Sequence, residues 1–305
     1  MFRYLLTRIA YTLPVIWLVV SIVFLLIHLV PGDPIQQMLG EGVPAADLEA
    51  ARHVYGLDLP LGRQYINYWN GVLHGDLGKS IRYGQSVSGL LAQRYPYTLQ
   101  LTLAALLVAI LLSIPAGVRS ARRRNRWDDR TISVVSLFGL SFPNFALGPI
   151  LILLFSIKFG WLPVSGSGTF ANLVLPSITM GSALAAILTR MVRTSLLEEL
   201  DQDYVRTARA KGLRETTVVY RHALRNALIP VITVLGLQFG ALLAGAIVTE
   251  KIFSWPGMGR LTIDSIANRD YAVVQGCILA IGLTYVAVNF LTDLVYSVVN
   301  PRIRQ

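Results

Sequence analysis

The residues of this chain that could do chemistry are few, and their spacing excludes most of what they could do. Gly75-Asp76-Leu77-Gly78-Lys79-Ser80 mimics the end of a phosphate-cradling loop. Such a loop needs a glycine five places before Gly78, where this chain has Leu73. No His-Glu-x-x-His or Gly-x-Ser-x-Gly stretch occurs, so no metalloprotease or serine-hydrolase machinery is expected, and no catalytic residue or metal site. The lone Cys277 excludes an internal disulfide framework and a multi-thiolate metal centre. Any work done must draw its energy from a partner or a gradient.

What remains is a thin set of polar groups in apolar surroundings. Arg190, Glu250 and Asp293 fall within or beside apolar runs, as do His28, Asn144, Gln238 and Asn289. A central charge exposed to lipid costs at least about 2.5–3.5 kcal/mol, so such groups face a bundle interior, an aqueous path or the interface. Asn144, Gln238, Glu250 and Asp293 are the candidates for a pathway. Pairing with an arginine of the basic loops is the competing reading for Asp293.

The elements that must position these groups are membrane helices. Hydrophobic residues make up 54% of the 305 residues and charged residues only 14%. Six apolar spans are expected, at 9–30, 99–118, 132–159, 173–191, 228–249 and 272–299, in an all-α polytopic membrane protein. The first span exceeds the apolar length of a signal peptide and runs into His28-Leu29-Val30-Pro31-Gly32-Asp33-Pro34 without a small-x-small site, so it reads as a retained helix. The organisation expected is a first helix at 1–30, an external segment at 31–98 and a five-helix core at 99–305.

Charge sets the orientation. Arg3, Arg8, the arginines of 119–130, the cations of 190–225, and Arg302 and Arg304 fall on one side, roughly twice as many as on the other. That side, with both termini, is expected to be cytoplasmic. The net charge of +10 follows this alternation and needs no nucleic acid to explain it.

Within the external segment, 44–55 reads as a short helix stopped by Gly56, and 60–73 places Leu61, Tyr65, Tyr68, Trp69 and Val72 on one face. An amphipathic piece, 87–95, leads through Pro96 into the second span. Small residues recur every fourth place as Ala105, Ala109, Ser113 and Gly117, then as Gly236, Gly240 and Ala244, and as Gly276 and Ala280, a spacing that lets helix backbones approach. Pro143, Pro149 and Pro176 permit kinks.

Segment 195–227 is the most informative. Ser195 with Glu198 fits a capping box, Leu196, Leu200, Tyr204 and Ala208 form an apolar stripe, and Gly212 is placed for a left-handed helix end. A second helix is expected from Glu215 to Asn226, with Pro230 opening the next span. Arg206, Arg209, Lys211, Arg214 and Arg221 crowd the turn, either as topology determinants beside anionic lipid or as a docking face.

Here the residues carry a resemblance. Thr207-Ala208-Arg209-Ala210-Lys211-Gly212, with Leu224 beyond it, resembles the coupling loop of ATP-binding-cassette importer permeases of the dipeptide, oligopeptide, glutathione and nickel group. Arg206, Thr207 and Arg225 depart from the general Glu-Ala-Ala and Leu-Pro pattern but suit that subgroup. Leu29-Val30-Pro31-Gly32-Asp33-Pro34, Gly75-Asp76-Leu77-Gly78, Ser141-Phe142-Pro143, Phe253-Ser254-Trp255-Pro256-Gly257-Met258-Gly259, Arg269-Asp270-Tyr271 and Val299-Asn300-Pro301 are similar to further landmarks of the group.

The resemblance implies a type I importer permease fold in a bacterial inner membrane. It implies a second homologous permease chain, two ATPase subunits that bind ATP and Mg, and an external substrate-binding protein. In that reading Tyr204 and Arg206 to Leu213 (Arg206, Thr207, Ala208, Arg209, Ala210, Lys211, Gly212, Leu213) couple the spans to an ATPase, and the cargo is a dipeptide or short peptide, with glutathione or a nickel complex as alternatives. Trp255, in the loop just outside Glu250, would sit at the external mouth, with capping of the mouth by packing alone as the competing reading. A gradient-driven transporter would show internal repeats and ion-coupling groups at broken helices, and neither is evident.

Overall fold

The computed structural model describes residues 2–29, 32–40 and 42–299, with side chains outside the description at 2–5, 245 and 295–299. Parts of the landmarks at 29–34 and 299–301, and Arg302 and Arg304, therefore lie outside the described residues. The described chain is helical: α1 (Phe2–Leu29), α2 (Pro34–Leu39), α3 (Ala45–Val54), α4 (Leu61–His74), α5 (Val87–Arg122), α6 (Trp127–Ser141), α7 (Asn144–Leu151), α8 (Phe170–Leu200), α9 (Asp203–Ala210), α10 (Glu215–Thr217), α11 (Leu224–Ile252), α12 (Met258–Ala267) and α13 (Tyr271–Val299). Two π-helical runs, Ile152–Lys158 and Val218–Ala223, follow α7 and α10. Among the described residues five helices are long and apolar enough to cross a bilayer, or six spans if α6 and the α7 run count as one.

That sixth span differs from the straight helix that its composition suggests. α6 and the run from Asn144 to Lys158 are bent by 106°. The break falls at Pro143, and Phe142 before it is extended at φ −89, ψ 117, as the clash of a proline ring with the preceding residue requires. Pro149 and Pro176 lie inside α7 and α8 without ending them. Two other boundaries also move. α5 runs unbroken from Val87, and α8 runs past Ser195 to Leu200.

The chain forms two compact units. Unit 1 comprises Met1–Thr98 and Pro256–Ala287. Val20, Val23 and Leu279 make one buried cluster there, with Tyr68, Trp69 and Val72 of α4 packed against it, so most of the aromatic face of α4 rests on other helices. Tyr65 shares a hydrogen bond of 2.6 Å with Ser21 of α1, whereas Leu61 stays exposed. A second cluster joins Val87, Leu90 and Leu91 to Met258, Leu261, Val273 and Cys277.

Unit 2 comprises Leu99–Trp255 and Val288–Gln305, and α8 is its centre. Its core contains Leu184, Leu188, Val192 and Leu196 of α8 with Leu101, Ala105 and Ala109 of α5 and Leu242 and Ala246 of α11. The small-residue stripes do what their spacing predicts. A Cβ added to Gly181 would stand 2.5 Å from the Ala105 carbonyl oxygen, and one on Gly236 would stand 2.1 Å from the Thr292 side chain. Ala244, by contrast, is exposed.

Candidate functional site

Segment 195–227 is built by two helix breaks. α8 ends at Leu200, Asp201 and Gln202 interrupt it, and Gln202 enters α9 in an extended conformation at φ −74, ψ 151. The capping box expected at Ser195 and Glu198 is not used, because both lie inside α8, where buried Leu196 continues the helix's apolar face. The second helix does not stop at Asn226 either. α10 passes through the π-helical run into α11, and Pro230 sits inside that helix.

Gly212 ends α9 as its position suggested. Its φ is +78, its N–H donates to the Arg209 carbonyl at 2.9 Å, and the Leu213 N–H donates to the Ala208 carbonyl at 3.4 Å. These two bonds form a Schellman motif, in which the left-handed residue satisfies the last carbonyls of the helix. A side chain other than hydrogen would strain the backbone here.

The eight-residue α9 is two-sided. Val205 and Ala208 are buried in the unit 2 core with Val218, Val219 and Ala223. Arg206, Thr207, Arg209, Ala210, Lys211, Gly212, Leu213 and Arg214 are exposed. Arg209 grips Glu215 with two bonds of 2.9 and 3.2 Å across the turn, and Arg206 meets Asp203 at 3.3 Å. Solvent-exposed pairs of this kind stabilise little, but a two-bond guanidinium fixes an angle. The Glu215 carboxylate holds the Arg209 guanidinium above its ordinary range.

Tyr204 ties the base of the segment. Its hydroxyl donates to the Glu199 carboxylate of α8 and accepts from the Asn226 amide of α11 at 3.1 Å. Burial, then the Glu199 bond, pushes its phenol up. Tyr204 and Ala208 therefore anchor the segment, while its cations and Leu213 are presented outward.

The five polar or aromatic candidates of the spans are not displayed on one open surface. Glu250 and Trp255 are fully buried, with the Trp255 N–H donating to the Glu250 carbonyl at 2.8 Å and the indole packed in the unit 2 core. Asn144 at the start of α7, Gln238 in α11 and Asp293 in α13 are half-buried. Among the described residues no group of three or more His, Cys, Asp or Glu is placed to hold a metal ion.

Two polar nodes were not visible in the spacing. In unit 2 the buried Asp129 carboxylate accepts from Arg193 at 2.7 and 2.8 Å, from Ser120 at 2.5 Å and from the Asn125 N–H at 2.9 Å. The neighbouring Asp128 takes Arg119 and Arg123, each at 2.7 Å, so the α5–α6 turn is pinned to α8. In unit 1 the buried pair Ser80 and Asp270 meets at 2.5 Å, joining the 75–80 turn to the start of α13. Tyr271 adds a bond of 2.6 Å to Gln37. Pairs so far apart in sequence leave no periodic signal, although both loops belonged to the landmark stretches.

Comparison with known proteins places the chain. The family described as "Binding-protein-dependent transport system inner membrane component" matches residues 113–305, and its N-terminal counterpart matches residues 1–102. The "Glutathione transport system permease protein GsiC" of Escherichia coli O6:H1 is 44% identical over 304 residues, covering 100% of this chain and 99% of that protein. Its namesake in Pectobacterium atrosepticum is also 44% identical with the same coverage. Among solved structures, an inward-facing form of the MetNI methionine ABC transporter aligns with a TM-score of 0.58 at 20% identity, over 69% of this chain and 96% of that one. An amino acid ABC transporter crystallised with histidines aligns at 0.53 and 15% identity, over 70% and 94%. Helices, breaks and sequence together show that this chain belongs to the inner membrane components of binding-protein-dependent transport systems, the permeases of ABC importers.

Proposed function

We propose that the chain is one of two permease subunits of an ATP-driven importer of short peptides. Glutathione, a tripeptide, is the first cargo to try, because the relatives named for its transport match along the whole chain. The observation that carries the reading is the α9 hairpin: Val205 and Ala208 buried in the core, a Schellman turn at Gly212, and an outward cationic face between two spans. Exposed cations on a short rigid element suit a groove on a soluble motor.

In this reading the α9 face sits on one of two ATPase subunits, which bind ATP and Mg. Closure of those subunits moves α9, and α8 and α11 carry the displacement into the membrane. A second permease chain completes the path, and an external binding protein delivers cargo. Both termini and the 195–227 segment are cytoplasmic, and the 31–98 segment is external. Asn144, Gln238, Glu250, Trp255 and Asp293 line or seal the path, with Glu250 and Trp255 in sealed positions in this conformation.

Proteoliposomes holding the full complex test this directly. Labelled glutathione or dipeptide should enter when the binding protein and ATP are supplied and stop when ATP is removed. Import driven by a proton gradient without ATP would refute the reading.

A further inference from the structure

α8 carries two arginines one turn apart, and only one is committed. Arg193 gives both of its bonds to Asp129. Arg190 is exposed and has no hydrogen bond or ion pair among the described residues. It lies within the candidate span Phe170–Leu200, ten residues before its end, or about 15 Å along the helix. With Leu140, Ile187, Met191 and Thr194 it lines an open surface pocket of about 260 Å³ in unit 2.

The direction of that pocket matters. α6 and α8 run antiparallel, since Asp129 near the start of α6 meets Arg193, while Gly139 near its end lies against Ala186. Leu140 is therefore deeper in the span than Arg190. An arginine that serves only as a membrane anchor reaches out toward the headgroups. Arg190 instead shares a pocket with a residue on its deeper side. Three of its four pocket neighbours are apolar, none is acidic, and Thr194 adds a hydroxyl one turn away. The planar guanidinium fork matches an oxyanion, and no acidic neighbour in the pocket competes for it.

We propose that Arg190 is a cargo-binding residue, holding the carboxylate of a peptide in the permeation path after its release from the binding protein. The proposal rests on the importer reading and adds to it the chemical group that the permease itself recognises. A lipid phosphate is the other oxyanion that the same fork could hold, and the test separates the two.

The permease–ATPase complex is placed in nanodiscs without its external binding protein. Binding of glutathione and alanyl-alanine, each beside its carboxyl-amidated form, is read by saturation-transfer NMR. The wild type should bind the acids in preference to the amides. Arg190→Gln should weaken acid binding at least tenfold, and Arg190→Lys should fall between. Unchanged acid binding in Arg190→Gln overturns the proposal. So does loss of bound phosphatidylglycerol by native mass spectrometry without loss of cargo, which assigns the fork to lipid. Failure of both variants to assemble assigns it to subunit packing and also overturns the proposal. In the sealed proteoliposomes with the binding protein present, a wild type that imports nothing on ATP refutes the importer reading instead.

Discussion

Replacing Gly212 isolates the backbone requirement of the hinge from every other contact. No heavy atom lies within 4 Å of the position that a Cβ would take, so a small side chain meets no obstacle from this chain. The cost of Gly212→Ala is then the left-handed strain alone, about 1–2 kcal/mol. Asparagine tolerates that region better and should cost less. Proline cannot adopt φ +78 and removes the N–H that binds the Arg209 carbonyl, so its cost is at least about 3 kcal/mol. A strain of 1–2 kcal/mol shifts a local equilibrium roughly 5–30-fold, enough to be read in a transport rate. Import and ATP hydrolysed per cargo, measured in proteoliposomes, should worsen in the order Gly, Asn, Ala, Pro. The proline variant should still insert into the membrane. Asparagine as damaging as proline would show that bulk at a partner surface, not φ, sets the requirement, and normal transport by the proline variant would refute the hinge.

Other consequences can be checked on the same preparation. Arg193→Met leaves the buried Asp129 carboxylate without its charge partner and should destabilise the permease by about 3 kcal/mol in thermal unfolding, with much of the loss recovered in the Asp129→Leu/Arg193→Met double variant. Gly181→Leu drives a side chain into the Ala105 carbonyl and should lower the melting temperature and prevent close α5–α8 packing, whereas Ala183→Leu on the same helix should be milder. Ser80→Ala removes the shortest bond to buried Asp270 and should cost about 1–3 kcal/mol, seen as faster proteolysis in the 75–86 turn. Asp33 is held below its ordinary range, first by its bond to Arg52. The stability it contributes should therefore be full above the ordinary value of 3.8 and fade as pH falls below it, measurable as acid loosening of α2 and α3 that Asp33→Asn abolishes.

Much of this was legible because membrane helices advertise themselves by length and composition. The stripes of Ala105, Ala109 and Gly236 and the left-handed Gly212 follow from local chemistry, and the structure uses each of them. What the sequence hid has three physical causes. A proline tolerated inside a helix, as at Pro149, Pro176 and Pro230, looks the same in sequence as Pro143, which breaks one; the difference lies in the surrounding packing. Ser195 and Glu198 have the spacing of a cap, but Leu196 and Leu200 extend the apolar face of α8, and the helix follows its burial. The pairings of Arg193 with Asp129 and Ser80 with Asp270 join residues 64 and 190 positions apart, which no periodicity records. Those pairings also separate the committed Arg193 from Arg190.

The most direct test is site-directed crosslinking in the assembled importer, with one cysteine added at a time by Thr207→Cys, Ala210→Cys or Val205→Cys and the unmodified protein, which has only the buried Cys277, as the background control. The two exposed positions should give a covalent adduct with an ATPase subunit, with a yield that changes on ATP binding, and the buried Val205 position should give none. No adduct from either exposed position, or labelling of both by a membrane-impermeant thiol reagent added only from outside, would contradict the claim that this basic turn receives force from a motor subunit.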